Sequence, residues 1–220
     1  MFRYRRNEIF FMFGIENFFL FLSVSLLINI SPGPDMLYTA ARSLSQGTKA
    51  GILSALGIFC GCLVHTAAAV FGLSKIIEES ALLFSIIKYA GAAYLIYLGI
   101  RSLFTGKKNE TEIAQLEPIS NRKIFIQGMI TNVLNPKVAI FFLSFLPQFI
   151  DPKSAYLEEQ IAFLGLWFDI QGALILTIVA MVTGYFQAML QQNRSFWNWQ
   201  QKITGFILIG LGIKMLFTRK

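Results

Sequence analysis

Apolar windows of about 20 residues recur along the whole chain, and no other feature restricts its fold as strongly. A window of that length crosses the hydrocarbon layer of a bilayer as one helix, whereas a membrane β-barrel would need short alternating segments, which are not seen. Only 14% of the 220 residues are charged, against about a quarter in a soluble domain, and the mean hydropathy is +0.59. The sequence therefore predicts an all-α membrane protein.

Six apolar segments follow one another and are predicted to be transmembrane helices. A polar stretch, residues 105–121, joins two halves of about 12–104 and 122–217. Because each half has three helices, the halves have opposite orientations, and we expect one membrane domain over residues 1–220 built as an inverted repeat. The six segments run over about 15–30 with a continuation past Asp35, then 49–73, 81–104, 124–150, 161–189 and 196–217.

Lysine and arginine are unevenly distributed between the predicted loops, which orients the protein through the positive-inside rule. The loops after segments one, three and five hold nine of them, and those after two and four hold or adjoin three. We therefore expect the first group in the cytoplasm and both termini outside. Six basic residues near the termini raise the outside count to nine, and a start at Met12 would lower it to six. The N-terminus is expected to be a retained first helix, because its apolar part is too long for a signal peptide.

Several classes of function find little support in the composition. The net charge of +7 is scattered between membrane segments and not gathered on one soluble face, so no nucleic-acid partner is expected. Cys60 and Cys62 form a C-x-C in an apolar run, which lacks the spacing of a zinc site and predicts small buried side chains and no metal. The chain has a single histidine and neither an H-E-x-x-H nor a G-x-S-x-G motif. An intramembrane enzyme would need a nucleophile–base pair or a set of metal ligands, for which the sequence gives little support. No nucleotide-binding loop is present.

Two helix breakers stand in corresponding places of the two halves. "SPGPD", residues 31–35, ends the first segment, and "NPK", residues 135–137, falls inside the fourth, so that Pro32 and Pro136 are about half a chain apart. A proline removes one N–H and displaces a carbonyl, and freed backbone groups at membrane depth must be paired or line a watery cavity. Paired breaks of this kind in inverted halves indicate the binding site of a transporter.

The chain also resembles a known family, the LysE/RhtB-type amino-acid exporters. The resemblance rests on "SPGPD", the following "RSLSQGTKAGILSALGI", the "YAGAAYLIYLGIRSL" of segment three and the "NVLNPKVAIFFLSFLPQF" of segment four. It covers most of residues 31–149, and segments five and six fit in hydropathy alone. The resemblance implies a six-helix protein of the bacterial inner membrane that exports homoserine, threonine, lysine, homoserine lactone or close relatives, without a cofactor.

The candidate site residues lie at and near the breaks. Asp35 is either a functional charge, since a carboxylate at membrane depth is costly, or a helix cap. A polar stripe of Gln127, Thr131 and Asn135 either lines a pathway or holds helices together. Lys137 either pairs with Asp35 or a substrate carboxylate, or snorkels. The predicted substrate pathway comprises Asn29, Ser31, Pro32, Gly33, Pro34, Asp35, Gln127, Thr131, Asn132, Asn135, Pro136 and Lys137.

Two further candidate residues each have two interpretations, and a glycine motif has one. Asp169 is a candidate for proton coupling together with Asp35, unless the start of segment five shifts it towards the membrane surface. His65 either relays protons or packs near the outer interface. Gly57 and Gly61 form a G-x-x-x-G that brings two helices close together.

The sequence thus favours a secondary transporter that exports small zwitterionic solutes by alternating access, driven by proton influx. Its expected partners are the substrate and the lipid bilayer, and the sequence leaves open whether it forms a homo-oligomer. The alternatives are a membrane sensor or assembly module that transports nothing and, with less support, an intramembrane enzyme.

Overall fold

The structure, a computed structural model, describes residues 15, 17–73, 81–104 and 117–185, with single positions at 202, 206, 209, 210, 212, 213 and 216. Every regular element in this part of the chain is helical, as predicted. The predictions on the Met12 start, on residues 105–116 of the polar stretch and on most of the sixth segment lie outside the described residues.

The helices follow the predicted segments closely. They are α1 (Phe18–Ile30), α2 (Pro34–Gln46), α3 (Thr48–Ala68), α4 (Ala81–Phe104), α5 (Asn121–Val133), α6 (Pro136–Ile140) and α7 (Leu157–Tyr185). A π-helical turn, Ala69–Leu73, continues α3, and a π-helical turn followed by a 3₁₀ turn, Phe141–Phe145 and Leu146–Phe149, continues α6.

Two to four of these elements qualify as membrane spans. Thr48–Leu73 and Leu157–Tyr185 are each long and apolar enough to cross a bilayer. The pair α1 and α2 is bent by 50°, and the pair α5 and Pro136–Phe149 is bent by 42°, so each pair is either one broken span or a re-entrant loop. The predicted breaks in the first and fourth segments are therefore confirmed.

Glycines set how closely α3 and α5 pack. A Cβ atom added to Gly57 would overlap the Phe125 carbonyl oxygen, and one added to Gly61 would lie 2.7 Å from the Met129 carbonyl oxygen. On the other helix, a Cβ at Gly128 would come within 2.7 Å of the Ser54 carbonyl oxygen. Backbone meets backbone along this contact, as is typical of helices in lipid, and the packing interpretation of the G-x-x-x-G is confirmed.

Phenylalanines fill the space between α1, α7 and the continuation of α6. The rings of Phe141 and Phe168 stack with their centroids 3.9 Å apart, and Phe21 and Phe142 pack beside them with less than 3% of their surface exposed. This aromatic core holds the segment after the second break against α1 and α7. The polar groups of the breaks lie beside it.

Candidate functional site at two helix breaks

The first break separates α1 from α2. Helix α1 ends at Ile30, and the Ser31 N–H still donates to the Leu27 carbonyl oxygen (3.0 Å). The next N–H would belong to residue 32, which is a proline, so the Ile28 carbonyl loses its helical partner. Gly33 is extended, and Pro34 begins α2, which places Asp35 in the first turn. The predicted restart of the helix beyond Asp35 is confirmed.

The second break separates α5 from α6. Leu134 forms a turn, Asn135 leaves the helical conformation, and Pro136 begins α6. The Asn135 side chain caps the new helix, because its Oδ1 accepts a hydrogen bond from the Lys137 backbone N–H (3.0 Å). The sequence predicted this interruption at Pro136.

Asp35 is buried and is held from across the molecule. Its Oδ2 atom accepts hydrogen bonds from the Nδ2 atoms of Asn132 (2.9 Å) and Asn135 (2.8 Å). Its Oδ1 atom is buried too and has no hydrogen-bond partner among the described residues. No side-chain capping bond is made at the start of α2. The carboxylate of Asp35 is thus held by side chains of another segment and makes no capping bond, and its functional role stays a prediction.

Lys137 is buried with 7% of its surface exposed, and its ammonium group reaches the first break. The Nζ atom donates to the carbonyl oxygens of Ser31 (2.8 Å) and Ile28 (3.2 Å). The Ile28 carbonyl is the one that Pro32 leaves unpaired, and a cation at the C-terminus of α1 is favoured by the helix dipole. The contact with these carbonyls is not among the predicted roles of Lys137. The electrostatic attraction between Lys137 and Asp35 agrees with one of those roles, and the buried side chain does not snorkel.

The two breaks therefore complete each other. Helix α5–α6 supplies two amide donors to the carboxylate of Asp35 and an ammonium to the carbonyls that end α1. A buried ion is tolerated only when its charge is balanced and its hydrogen-bonding capacity is largely used. The close approach of the Lys137 Nζ atom depends on Gly33, since a Cβ there would lie 3.0 Å from it.

A small cavity opens beside the breaks. Its volume is about 20 Å³, which is enough for roughly one water molecule. Carboxylates from two helices, Asp35 and Asp169, line it together with the ammonium-bearing Lys137. The remaining lining residues are Asn29, Met36, Ile58, Phe59, Cys62, Val138, Phe168, Gly172, Ala173 and Leu176.

Asp169 lies in the middle part of α7 and is almost fully buried. Its Oδ2 atom accepts a hydrogen bond from the Thr66 hydroxyl (2.7 Å), while its buried Oδ1 atom has no partner within the described chain. Because α7 begins at Leu157, Asp169 is about 18 Å along the helix and does not shift to the surface. Asn29 approaches the same helix and donates to the Phe168 carbonyl oxygen (3.2 Å) and the Gln171 Oε1 atom (3.3 Å).

The predicted stripe on the fourth segment does not form one continuous face. After the break, the Asn135 side chain donates a hydrogen bond to Asp35. The Thr131 hydroxyl instead donates to the Gln127 carbonyl oxygen on its own helix (2.7 Å). Gln127 instead meets α2 two turns beyond Asp35, where its Oε1 atom accepts from Arg42 Nη2 (3.2 Å). The i, i+4, i+8 spacing assumed an uninterrupted helix, and the break at Pro136 ends that periodicity.

His65 packs and does not reach the cavity lining. Its Nε2 atom lies 3.0 Å from the Asn132 carbonyl oxygen, and its ring stacks on Phe142 with centroids 6.0 Å apart. The His65 side chain thereby supports the position of Asn132, which donates a hydrogen bond to Asp35. Within the described residues, no three His, Cys, Asp or Glu side chains are grouped so that they could hold a metal ion.

Sequence reasoning missed Tyr38, Arg42 and Thr66 as part of the polar network. Thr66 follows His65 in an apolar helix and carries no local signal. Tyr38 and Arg42 could have been found, because they lie three and seven residues after Asp35 and so on the same face of α2. Arg42 was counted only as a loop charge.

Comparison with known proteins shows the family of this chain. A family model described as LysE type translocator matches residues 26–219. The chain is 32% identical over 202 residues to the uncharacterized membrane protein YrhP of Bacillus subtilis (strain 168), covering 88% of this chain and 95% of the relative. It is 25% identical over 203 residues to the leucine efflux protein of Salmonella typhimurium, covering 92% and 96%. No solved structure gives a significant match.

Proposed function

This chain belongs to the family of LysE type translocators, a family of transporters and not of enzymes, and on that premise we propose that it exports amino acids across the bacterial inner membrane by proton-driven alternating access. The full arrangement would comprise six spans as two inverted halves, about 12–104 and 122–217, joined by the stretch 105–121. Amino-acid efflux is also the function that the name of the Salmonella relative states.

One observation carries the proposal: the contact between the two breaks. Asp35 belongs to α1–α2, and every hydrogen-bond donor that the structure gives its carboxylate comes from α5–α6. The Oδ1 atom that stays without a partner belongs to a residue lining the cavity. A substrate ammonium would bind this carboxylate, and the substrate carboxylate would be favoured by helix N-termini near the breaks.

The lining favours a neutral amino acid with an apolar side chain. Around the polar groups, the cavity wall is formed mostly by aliphatic and aromatic side chains such as Ile58, Val138 and Leu176. Leucine, named for the Salmonella relative, suits such a wall. Homoserine, threonine, lysine and homoserine lactone are the further candidates that the resemblance in sequence implies.

Proton coupling is assigned to the two carboxylates that line the cavity. Each has one buried oxygen atom with a partner and one without a partner among the described residues. The Lys137 ammonium balances one of the two carboxylates in the cavity lining, so a proton or a substrate ammonium would neutralise the other. Exchange of these two cations is the physical basis for coupling export to proton influx.

Transport requires the cavity to change. A volume of about 20 Å³ cannot hold an amino acid, so the helices around it must separate towards one side and then the other.

The orientation of the protein in the membrane follows the positive-inside rule, with the 105–121 stretch in the cytoplasm. An impermeant thiol reagent added outside should leave a cysteine at Asn109 unlabelled and should label one at the C-terminus. The reverse pattern would invert the orientation.

Efflux measurements test the function directly. Cells with and without the protein are loaded with a panel of labelled amino acids, leucine and threonine among them, and release is followed with the proton gradient intact and collapsed. Faster release that needs the protein and weakens when the gradient collapses is expected. Equal release in both strains for the whole panel would contradict an exporter, and release insensitive to the gradient would contradict the proton drive.

A further inference from the structure

A buried arginine lies on the same face of α2 as Asp35. Arg42 follows Asp35 by seven residues, two helical turns or about 10 Å along the helix, and Tyr38 lies between them. All three side chains point at α5: Asp35 contacts Asn132, while Tyr38 and Arg42 contact Gln127. A polar seam thus runs from the cavity along α2 towards the stretch before α5, which is predicted to be cytoplasmic.

The guanidinium of Arg42 is charged at any accessible pH, yet only 5% of the residue is exposed. The acceptors that the structure gives it are neutral. Nη1 donates to Gln46 Oε1 (3.1 Å) and to the Glu117 carbonyl oxygen (3.0 Å), and Nη2 donates to Gln127 Oε1 (3.2 Å). The Nε atom is buried and has no partner among the described residues. The Tyr38 ring lies 5.6 Å from the guanidinium carbon.

The geometry of the guanidinium identifies what would suit it better. Nε and Nη2 form the edge on which arginine binds a carboxylate with two parallel hydrogen bonds. In the part of the chain that the structure describes, only Nη2 of that edge is used, by the neutral Gln127 Oε1 atom. The Tyr38 hydroxyl lies 3.2 Å from the same Oε1 atom and 3.0 Å from the Ile124 carbonyl oxygen. Gln127 is an exposed side chain, so it can move away without unpacking a core.

We propose that the Nε–Nη2 edge of Arg42 and the Tyr38 hydroxyl form a site for the carboxylate of the substrate, which displaces the Gln127 side chain. This carboxylate site deepens the proposed export function and rests on it. It is distinct from the cavity, because the ammonium and carboxylate groups of an α-amino acid are bonded to the same carbon atom and cannot span the two helical turns between Arg42 and Asp35. The substrate binds first at Arg42 and then moves along the seam to Asp35.

A purely structural role for Arg42 is the competing account. Together with Gln46, it fixes the segment before α5, since Gln46 accepts from the Ile119 N–H (3.1 Å) and donates to the Ile119 carbonyl oxygen (2.9 Å). A role of that kind would affect every transported compound alike. A carboxylate site affects only compounds that carry a carboxylate.

The test uses inside-out membrane vesicles, in which the cytoplasmic face meets the medium. Uptake of labelled L-leucine gives KM and kcat, and inhibition by unlabelled L-leucinamide, whose carboxylate is replaced by a neutral amide, gives its inhibition constant. If the efflux panel selects another amino acid, that amino acid and its amide are used. In Arg42→Gln, KM for leucine should rise roughly tenfold or more, while the inhibition constant for leucinamide stays unchanged. Tyr38→Phe keeps the ring and should raise KM for leucine by a smaller factor.

Arg122→Gln is the matched control, because Arg122 is an exposed arginine at the start of α5, and its KM should equal that of the unsubstituted protein. If Arg42→Gln does not accumulate in the membrane, Arg42→Lys keeps the charge without the fork and should show the same selective rise in KM for leucine. Equal changes for leucine and leucinamide, or no change for either, would overturn the carboxylate site alone. An unsubstituted protein that takes up no amino acid would overturn the proposed function, and the site with it.

Discussion

The two proline breaks look alike in sequence but differ in what they supply. At the first break, residues 31–33, the carbonyl oxygens of Ile28 and Ser31 and one carboxylate oxygen of Asp35 accept hydrogen bonds from side chains of the α5–α6 segment. At the second, residues 134–135, Asn135 caps its own helix, and Leu134 faces outward with 73% of its surface exposed. The first break is thus chemically incomplete by itself, whereas the second pairs most of its own groups through Asn135, receives one further contact from His65 and provides donors. We infer that the first carries the functional charge and that the second supports it.

The largest effect is expected for Asp35→Asn. The substitution keeps the shape of the side chain but removes the only charge of the first break. The substrate ammonium then loses its charged partner in a buried contact, at a cost of about 2 kcal/mol or more. Export should therefore fall at least roughly 30-fold. Efflux is compared at matched membrane abundance. Asp151→Asn, in the loop before α7, is the control and should export normally. Near-normal export by Asp35→Asn would reduce Asp35 to a structural residue.

A smaller loss is expected for Asn135→Asp, which separates the two tasks of the second break. An aspartate still caps α6 through the Lys137 N–H, so the helix should persist. It no longer donates to Asp35, however, and sets a second carboxylate against it, which should lower export roughly tenfold. Asn135→Ser keeps the capping oxygen without the added charge and should lose less. If Asn135→Asp exports as well as the unsubstituted protein, the contact with Asp35 is not needed.

Lys137→Met tests whether the first break depends on the second for stability. Methionine fills a similar volume but leaves the Ile28 and Ser31 carbonyls without a donor, at an expected cost of about 1–3 kcal/mol. The apparent melting temperature of the purified protein in detergent should fall accordingly. The exposed Lys153 offers the control, since Lys153→Met should melt like the unsubstituted protein. An unchanged melting temperature for Lys137→Met would show that the first break is stable by itself.

The smallest effect is expected for Gly33→Ala. The extended conformation of Gly33 is open to any residue, so the added methyl group acts only through its contact with the Lys137 ammonium, 3.0 Å away. Lysine is flexible at its end, and the cost should be about 1 kcal/mol, seen as a modest loss of both melting temperature and efflux. Gly72→Ala, where an added Cβ meets nothing within 4 Å, should be neutral. Equal behaviour of the two variants would mean that the Lys137 ammonium readily adapts.

Much of the fold could be predicted because its causes are local. The length of the apolar windows requires helices, and a proline removes its own N–H wherever it lies, so the bends near Pro32 and Pro136 follow from single residues. Four polar side chains could also be predicted to form one group, since buried polar groups near breaks need partners. They are Asp35, Asn132, Asn135 and Lys137.

The partners themselves could not be predicted, because they are decided by packing between residues that are distant in sequence. Asp35 and Asn135 are 100 positions apart, and the ammonium of Lys137 lies near the Ile28 carbonyl only because α1 and α6 meet there. The predicted polar stripe through Gln127 is not continuous for the same reason. The helical periodicity of α5 ends at the break, and the side chain that follows the break, Asn135, is placed by its contact with α2.

The sequence by itself determined that this chain is a helical membrane protein with two broken helices and a carboxylate beside the first break. These features depend on composition and on the chemistry of single prolines, so they can be predicted from the sequence without knowledge of the packing. Only the tertiary structure decided that the second break completes the first, and that Arg42 and Asp35 share a seam on α2. Those contacts join residues about 100 positions apart, so they depend on how α1 and α2 pack against α5 and α6, which no local pattern specifies.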